Sequence, residues 1–151
     1  AQDTVTLSAS GTYITEYEVA VAPQASSVDQ LNVIFQPLRF KARASVNWDH
    51  GPFTARVLAT HVGGYTNNLV TPSEDVDSYT PVDLTVTWRV GEMAPDTLVG
   101  GLELVAEVRN LFDIDPPYVN LAPGVNGSGG YDATAANPLG RQFALGARIR
   151  F

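Results

Sequence analysis

Apolar and polar residues alternate strictly over run after run of this chain, and that period of two limits what it can fold into. Phe40, Ala42, Ala44, Val46 and Trp48 alternate with Lys41, Arg43, Ser45 and Asn47, and Val82, Leu84, Val86, Trp88 and Val90 alternate with Asp83, Thr85, Thr87 and Arg89. In extended backbone, successive side chains project to opposite faces, so each run makes a strand with one apolar and one polar face. Leu102, Leu104, Ala106 and Val108 oppose Glu103, Glu107 and Arg109 in the same way. So do Phe143, Leu145, Ala147, Ile149 and Phe151 against Gln142, Ala144, Gly146, Arg148 and Arg150. The run near 53–67 resists clean assignment, because Arg56 shares its parity with Leu58 and Val62. No segment carries the 3.6-residue period of an amphipathic helix.

Turn-forming residues punctuate these runs at Gln24-Ala25-Ser26-Ser27, Asp49-His50-Gly51-Pro52, 67–81, 91–101 and 113–138. The spacing predicts strands near 3–21, 38–49, 53–67, 81–91, 101–112 and 141–151, an all-β antiparallel meander of about six strands. The tight connection at 49–52 and the modest one at 92–100 alternate with longer ones at 22–37, 68–80 and 113–140. Transmembrane barrels show this rhythm, with short turns on the periplasmic side and long loops outside. If the short turns share one end, Trp48, Phe53, Trp88 and Phe151 gather there and Phe40, Tyr65, Tyr79, Phe112 and Phe143 gather at the other. Two aromatic girdles flanking an apolar band are what a barrel places at the headgroup level. The mid-strand charges of both signs fit a wet lumen better than a dry core.

Bulk properties agree without deciding. The 151 residues suffice for one domain, and 44% hydrophobic with 17% charged suits a soluble protein and a barrel alike. No apolar stretch approaches the roughly 20 residues of a transmembrane helix. A net charge of −7 with a single lysine, Lys41, argues against nucleic acid as a partner. The absence of cysteine is compatible with an oxidising compartment.

Catalytic chemistry finds no constellation, and no enzyme activity, metal or cofactor is expected. His50 sits in a tight turn and His61 in mid-strand, with no nucleophile elbow or zinc-type cluster beside them. Glu74-Asp75 with Asp77, and Asp113 with Asp115, lack the full calcium-loop pattern and read as solvated loop charge. Glu103 and Glu107 stand about 13 Å apart by strand rise, too far for a glycosidase pair, and pairing with Arg109 or a neighbouring-strand Arg is expected. The long 113–140 segment is the best candidate for ligand capture. Its Tyr118, Asn120, Asn126 and Tyr131 suit a polar organic ligand.

Asn110-Leu111-Phe112-Asp113, then Pro116-Pro117-Tyr118, a Gly/Asn-rich loop, Tyr131-Asp132, Gly140-Arg141 and a last strand ending in Phe151 follow one another in a distinctive order. In that order and spacing the chain resembles the C-terminal end of TonB-dependent outer-membrane receptors; Pro37-Leu38-Arg39-Phe40, Asn47-Trp48 and Gly63-Gly64-Tyr65 are similar to the hairpins before it. The resemblance implies that residues 1–151 are the C-terminal part of a 22-stranded transmembrane β-barrel in the outer membrane of a Gram-negative bacterium. The plug domain and earlier strands would lie outside this chain. The implied function is TonB-energised uptake of a scarce nutrient of the siderophore, cobalamin or oligosaccharide class. Its partners would be outer-membrane lipid, the remaining barrel and plug, TonB through that plug, and a small-molecule ligand. Gly146, Ile149 and Phe151 match the terminal signal read by the barrel-insertion machinery, while Ala144 stands where that pattern has a polar residue. Alone, such a sheet would oligomerise through its free edges and apolar face. A rival with the same alternation is a secreted soluble β-sandwich that binds carbohydrate and buries Val46, Trp48, Val86 and Trp88 between two sheets.

Overall fold

The computed structural model describes residues 2–93, 96–97, 99–124 and 129–150. Its strands are β1 (Asp3–Tyr13), β2 (Glu18–Val19), β3 (Val28–Asp29), β4 (Phe40–His50), β5 (Phe53–Val62), β6 (Tyr65–Asn67), β7 (Glu74–Val76), β8 (Val82–Trp88), β9 (Glu103–Arg109) and β10 (Gln142–Arg148). A short 3-10 helix, Val90–Met93, follows β8. Six of the strands form one antiparallel sheet in the order β1-β4-β5-β8-β9-β10, while β2-β3 and β6-β7 make two small hairpin sheets. Within the large sheet each strand pairs with the next one in sequence, so it is a meander. No helix among the described residues is long and apolar enough to cross a membrane.

Register turns the alternation of single strands into two faces of a sheet. Leu7 pairs with Val46, Val46 with Val57, Val57 with Leu84, Leu84 with Val108, and Val108 with Phe143. The next row runs Val5, Trp48, Ala55, Val86, Ala106 and Leu145. One face is therefore apolar across all six strands. The other carries Thr6, Asn47, Arg56, Thr85, Glu107 and Ala144 in one row, polar at five of its six positions. Arg56 thus falls in line: its parity is the polar face, where Leu58 lies between Ser45 and Asp83.

No second sheet covers the apolar face among the described residues. Val46, Trp48, Val86 and Trp88, which a sandwich would bury, are all exposed, and Leu145 on the edge strand β10 is 88% exposed. The buried residues gather elsewhere. Ile34, Leu38, Val62, Tyr65, Val76, Tyr79, Val119, Leu121 and Ala136 form one cluster. Val62, the last residue of β5, is the cluster's single member from the large sheet, and the rest come from the connections 14–39, 63–81 and 110–141. All three connections leave the same end of the sheet, and they pack there as a cap. The opposite end holds the tight turn at Gly51, with φ of 53°, and the 89–102 connection.

Three predicted runs are shorter than their alternation suggested. The first ends at Tyr13, after which Ile14 still donates to the Arg39 carbonyl before the chain enters the β2-β3 hairpin. The 53–67 run breaks at Gly63-Gly64, where the backbone passes so close to the Val76 carbonyl that a Cβ on Gly64 would stand 2.8 Å from its oxygen. Past that break, β6 leaves the large sheet and pairs with β7. The third ends at Arg148 by strand geometry, yet Arg150 donates to the Gly101 carbonyl at 3.1 Å, extending the pairing beyond β10.

The aromatic rows are only partly as expected. Trp48, Phe53 and Trp88 do share the short-turn end, where Phe53 stacks on Trp88 at 5.6 Å and Trp48 on His50 at 5.7 Å. At the cap end, Tyr13, Phe40 and His61 form a contiguous row, and Phe143 and Phe112 are exposed. Tyr65 and Tyr79 are corrections: both are buried in the cap. The break at Gly63-Gly64 turns Tyr65 inward, and Tyr79, paired with Val62, is covered by residues 133–138.

Candidate functional site

The described residues of the long segment expected to capture ligand pack into the cap, held by side-chain hydrogen bonds to the sheet and to the neighbouring connections. Asn110 begins it. With φ of 51° it enters the left-handed region that Asn tolerates better than most residues. Its amide side chain donates to the Ile114 carbonyl and accepts from the Ile114 N–H, closing a tight loop. Its own N–H donates to the Asp83 carboxylate at 2.9 Å. Asp113, also left-handed with φ of 57°, accepts from the N–H of Arg141 at 2.6 Å, just before β10 begins. The Asn110-to-Asp113 motif therefore joins both ends of the segment to the sheet. Asp113, read from sequence as solvated charge, is a main-chain cap.

Further along, the segment docks on β6 and its flanks. The Tyr65 hydroxyl donates to Asp132 at 3.0 Å, and Asp132, almost fully buried, also accepts from the N–H and hydroxyl of Thr134. The Tyr79 hydroxyl donates to the Asn137 carbonyl. Asn67, fully buried, donates to the Asn120 carbonyl and accepts from the Leu69 N–H. The 30–38 stretch joins on the other side: Ile34 donates to the Thr66 carbonyl, and Asn32 donates through its side chain to that of Gly64. Burial, and then the charge of Asp132, push the Tyr65 phenol above its ordinary range. Tyr79 moves the same way, chiefly through burial, with Asp83 and Asp115 adding to it.

Four residues were singled out for ligand contact, and they divide. Tyr118 is exposed, its ring beside Gly130. Tyr131 is half-buried. These two tyrosines flank the hydrogen bond from the Val119 N–H to the Gly130 carbonyl, so the fold brings them to one place. Asn120 is exposed, but its side chain donates to Glu74 at 3.3 Å, tying the segment to β7. Asn126 lies outside the described residues, as does Phe151.

Of the terminal-signal residues, Ile149 is exposed and Gly146 pairs with Val105 on the polar face. The other candidate groups are engaged locally. Arg109 donates to Glu107 at 2.6 Å, the pairing expected from their spacing. His50 contacts Asp3 across the β1-β4 pair, and His61 contacts Thr80.

Sequence reading missed Asp132 and Asn67 as the polar centres of the cap. Asp132-x-Thr134 is a recognisable Asx-type turn, and could have flagged the first. Nothing local marks Asn67, whose partner at Asn120 is remote in sequence. No family model, curated protein or solved structure matches this chain.

Proposed function

We propose that this six-stranded sheet is the C-terminal wall of a TonB-dependent outer-membrane receptor barrel of about 22 strands, whose capped end faces outside and admits a scarce nutrient. One observation carries the reading: a bare apolar face that runs unbroken across all six strands, opposed by a polar, charged face. Six strands of seven to eleven residues at ~4.8 Å spacing span on the order of 800 Å². Monomeric soluble proteins rarely expose more than a few hundred Å² of contiguous apolar surface.

The dimensions support lipid as the covering. From Phe40 to His50, which pairs with Phe53, β4 makes ten steps, about 33 Å along the strand, or about 25 Å in depth at a tilt near 40°. That is the height of the apolar band of an outer-membrane barrel. Aromatic rings stand at both limits, Tyr13 and Phe40 at one and Phe53 and Trp88 at the other. The polar face then lines the lumen, and β1 and β10 are edges awaiting the rest of the barrel. The cap would be the external ligand-gathering surface, with Tyr118 as its most available aromatic.

An antibody against the chain, applied to fractionated membranes of the source cell, tests this. The expected band lies in the outer-membrane fraction, is much longer than 151 residues and shifts in mobility on heating. A band in the soluble fraction, unaffected by heating, would overturn the proposal.

A further inference from the structure

The chain is acidic overall, yet its polar face concentrates unpaired positive charge in one place. Lys41 and Arg43 on β4 and Arg56 on β5 all project to that face, and none of them has an ion-pair partner among the described residues. Hydroxyls surround them. Ser10, Thr12 and Thr60 join Lys41 and Arg43 around a hollow of about 410 Å³, and Ser8, Ser10 and Ser45 join Arg43 and Arg56 around an adjoining one of about 220 Å³. Arg43 belongs to both. Of the other arginines on or beside the sheet, Arg109 is bonded to Glu107, and Arg89 pairs with Glu92 and donates to Thr54 and the Gly51 carbonyl, while Arg148 stands away from this group on the edge strand β10, opposite Glu103.

We infer that the Lys41–Arg43–Arg56 groove binds a small polyanion carrying two separated oxyanion groups. Two guanidinium forks offer bidentate donors that match phosphate or carboxylate oxygens, and the ammonium adds a point charge beside them. By strand rise, Lys41 and Arg43 stand about 7 Å apart at their Cα atoms and Arg43 and Arg56 roughly 14 Å apart, a spread of positive charge along the groove that suits a ligand with an oxyanion group at each end. The flanking hydroxyls donate to the remaining oxygens. The groove belongs to the polar face however the sheet edges are completed, so the inference stands apart from the barrel proposal.

The test is titration calorimetry on the full 151-residue chain in an uncharged maltoside detergent, with pyrophosphate and succinate as separate probes. Saturable binding of pyrophosphate alone assigns a phosphate ligand, of succinate alone a dicarboxylate, and of both the shared oxyanion chemistry. Arg43→Gln should weaken binding about tenfold to a hundredfold, the effect of losing a charge-assisted hydrogen-bonding group, and Arg43→Lys should recover part of it. Arg109→Gln removes the same charge from the same face but lies outside the groove, and should leave binding unchanged. Circular dichroism of each variant reports whether the sheet is intact. Absence of saturable binding by either probe, or an equal loss in Arg109→Gln, would overturn the inference.

Discussion

An arginine placed on the apolar face should cost more the deeper it sits, and the register fixes the depths. Val57 lies four residues from Phe53, about 13 Å along β5 and about 10 Å below the aromatic row at a tilt near 40°. It is therefore close to the middle of a band about 25 Å tall. Val86 lies two residues from Trp88, about 5 Å below the same row. In a bilayer, Val57→Arg should cost about 2–4 kcal/mol and Val86→Arg about 1–2 kcal/mol, following the measured decline from midplane to interface. Thr6→Arg, on the polar face opposite Asn47, should stay within about 0.5 kcal/mol. Packing alone predicts no such order, because Val57 and Val86 are similarly exposed, at 39% and 36%. The assay is equilibrium unfolding by denaturant in phospholipid vesicles, followed by tryptophan fluorescence. Equal, near-zero effects for all three variants would refute the lipid-facing assignment.

The cap and the terminus give further expected outcomes. Asn110→Gly removes the two side-chain bonds to Ile114 without backbone strain and should destabilise the loop by about 1–3 kcal/mol, read as faster amide exchange at Ile114. Asn110→Ala adds the cost of a Cβ in the left-handed region and should lose about 1 kcal/mol more. Tyr65→Phe leaves one oxygen of buried Asp132 without its donor and should cost about 1–3 kcal/mol in thermal unfolding. Because the folded state raises the Tyr65 pKa above its unfolded value near 10, this contribution is complete below that pH. It is lost as pH rises through the folded value, and a tyrosinate titration should show Tyr65 ionising above the ordinary phenol range. In a full-length receptor, Ile149→Asp should lower the heat-modifiable barrel in the outer membrane while Gln142→Ala leaves it unchanged; equal yields would remove Ile149 from an insertion signal.

The sheet was legible in the sequence because its rule is local. Residues such as Phe40 to Trp48 announce their faces by parity, and tight turns such as Gly51-Pro52 set which runs are neighbours. The cap was not legible, because its core residues follow no period. Ile34, Val119, Leu121 and Ala136 lie in irregular segments far apart in the chain, and only their meeting makes them buried. Tyr65 was misplaced because the alternation of the 53–67 run continues past the break at Gly63-Gly64, where the Val76 carbonyl approaches Gly64, and Tyr79 because its partners Val62 and Asn137 are remote in the chain. Arg56 was ambiguous for the opposite reason. Its neighbours Leu58 and Val62 are apolar residues on the polar face, Val62 because the cap covers it. Tyr118 and Tyr131 lie in one segment by sequence, but the bond from Val119 to Gly130 that brings them together was beyond any local pattern.

The central claim is that the apolar face meets lipid, and the chain's two tryptophans report on it directly. Trp48 and Trp88 both lie on that face, both are partly exposed, and both sit in the aromatic row at the short-turn end. The measurement is quenching of their fluorescence by phospholipids brominated at successive positions along the acyl chain, in vesicles carrying the folded protein. Quenching that is strong, and strongest for bromines nearest the headgroups, is the predicted result, since aromatic girdles lie at that level. Fluorescence untouched by every brominated lipid, yet quenched by iodide in the water, would contradict it.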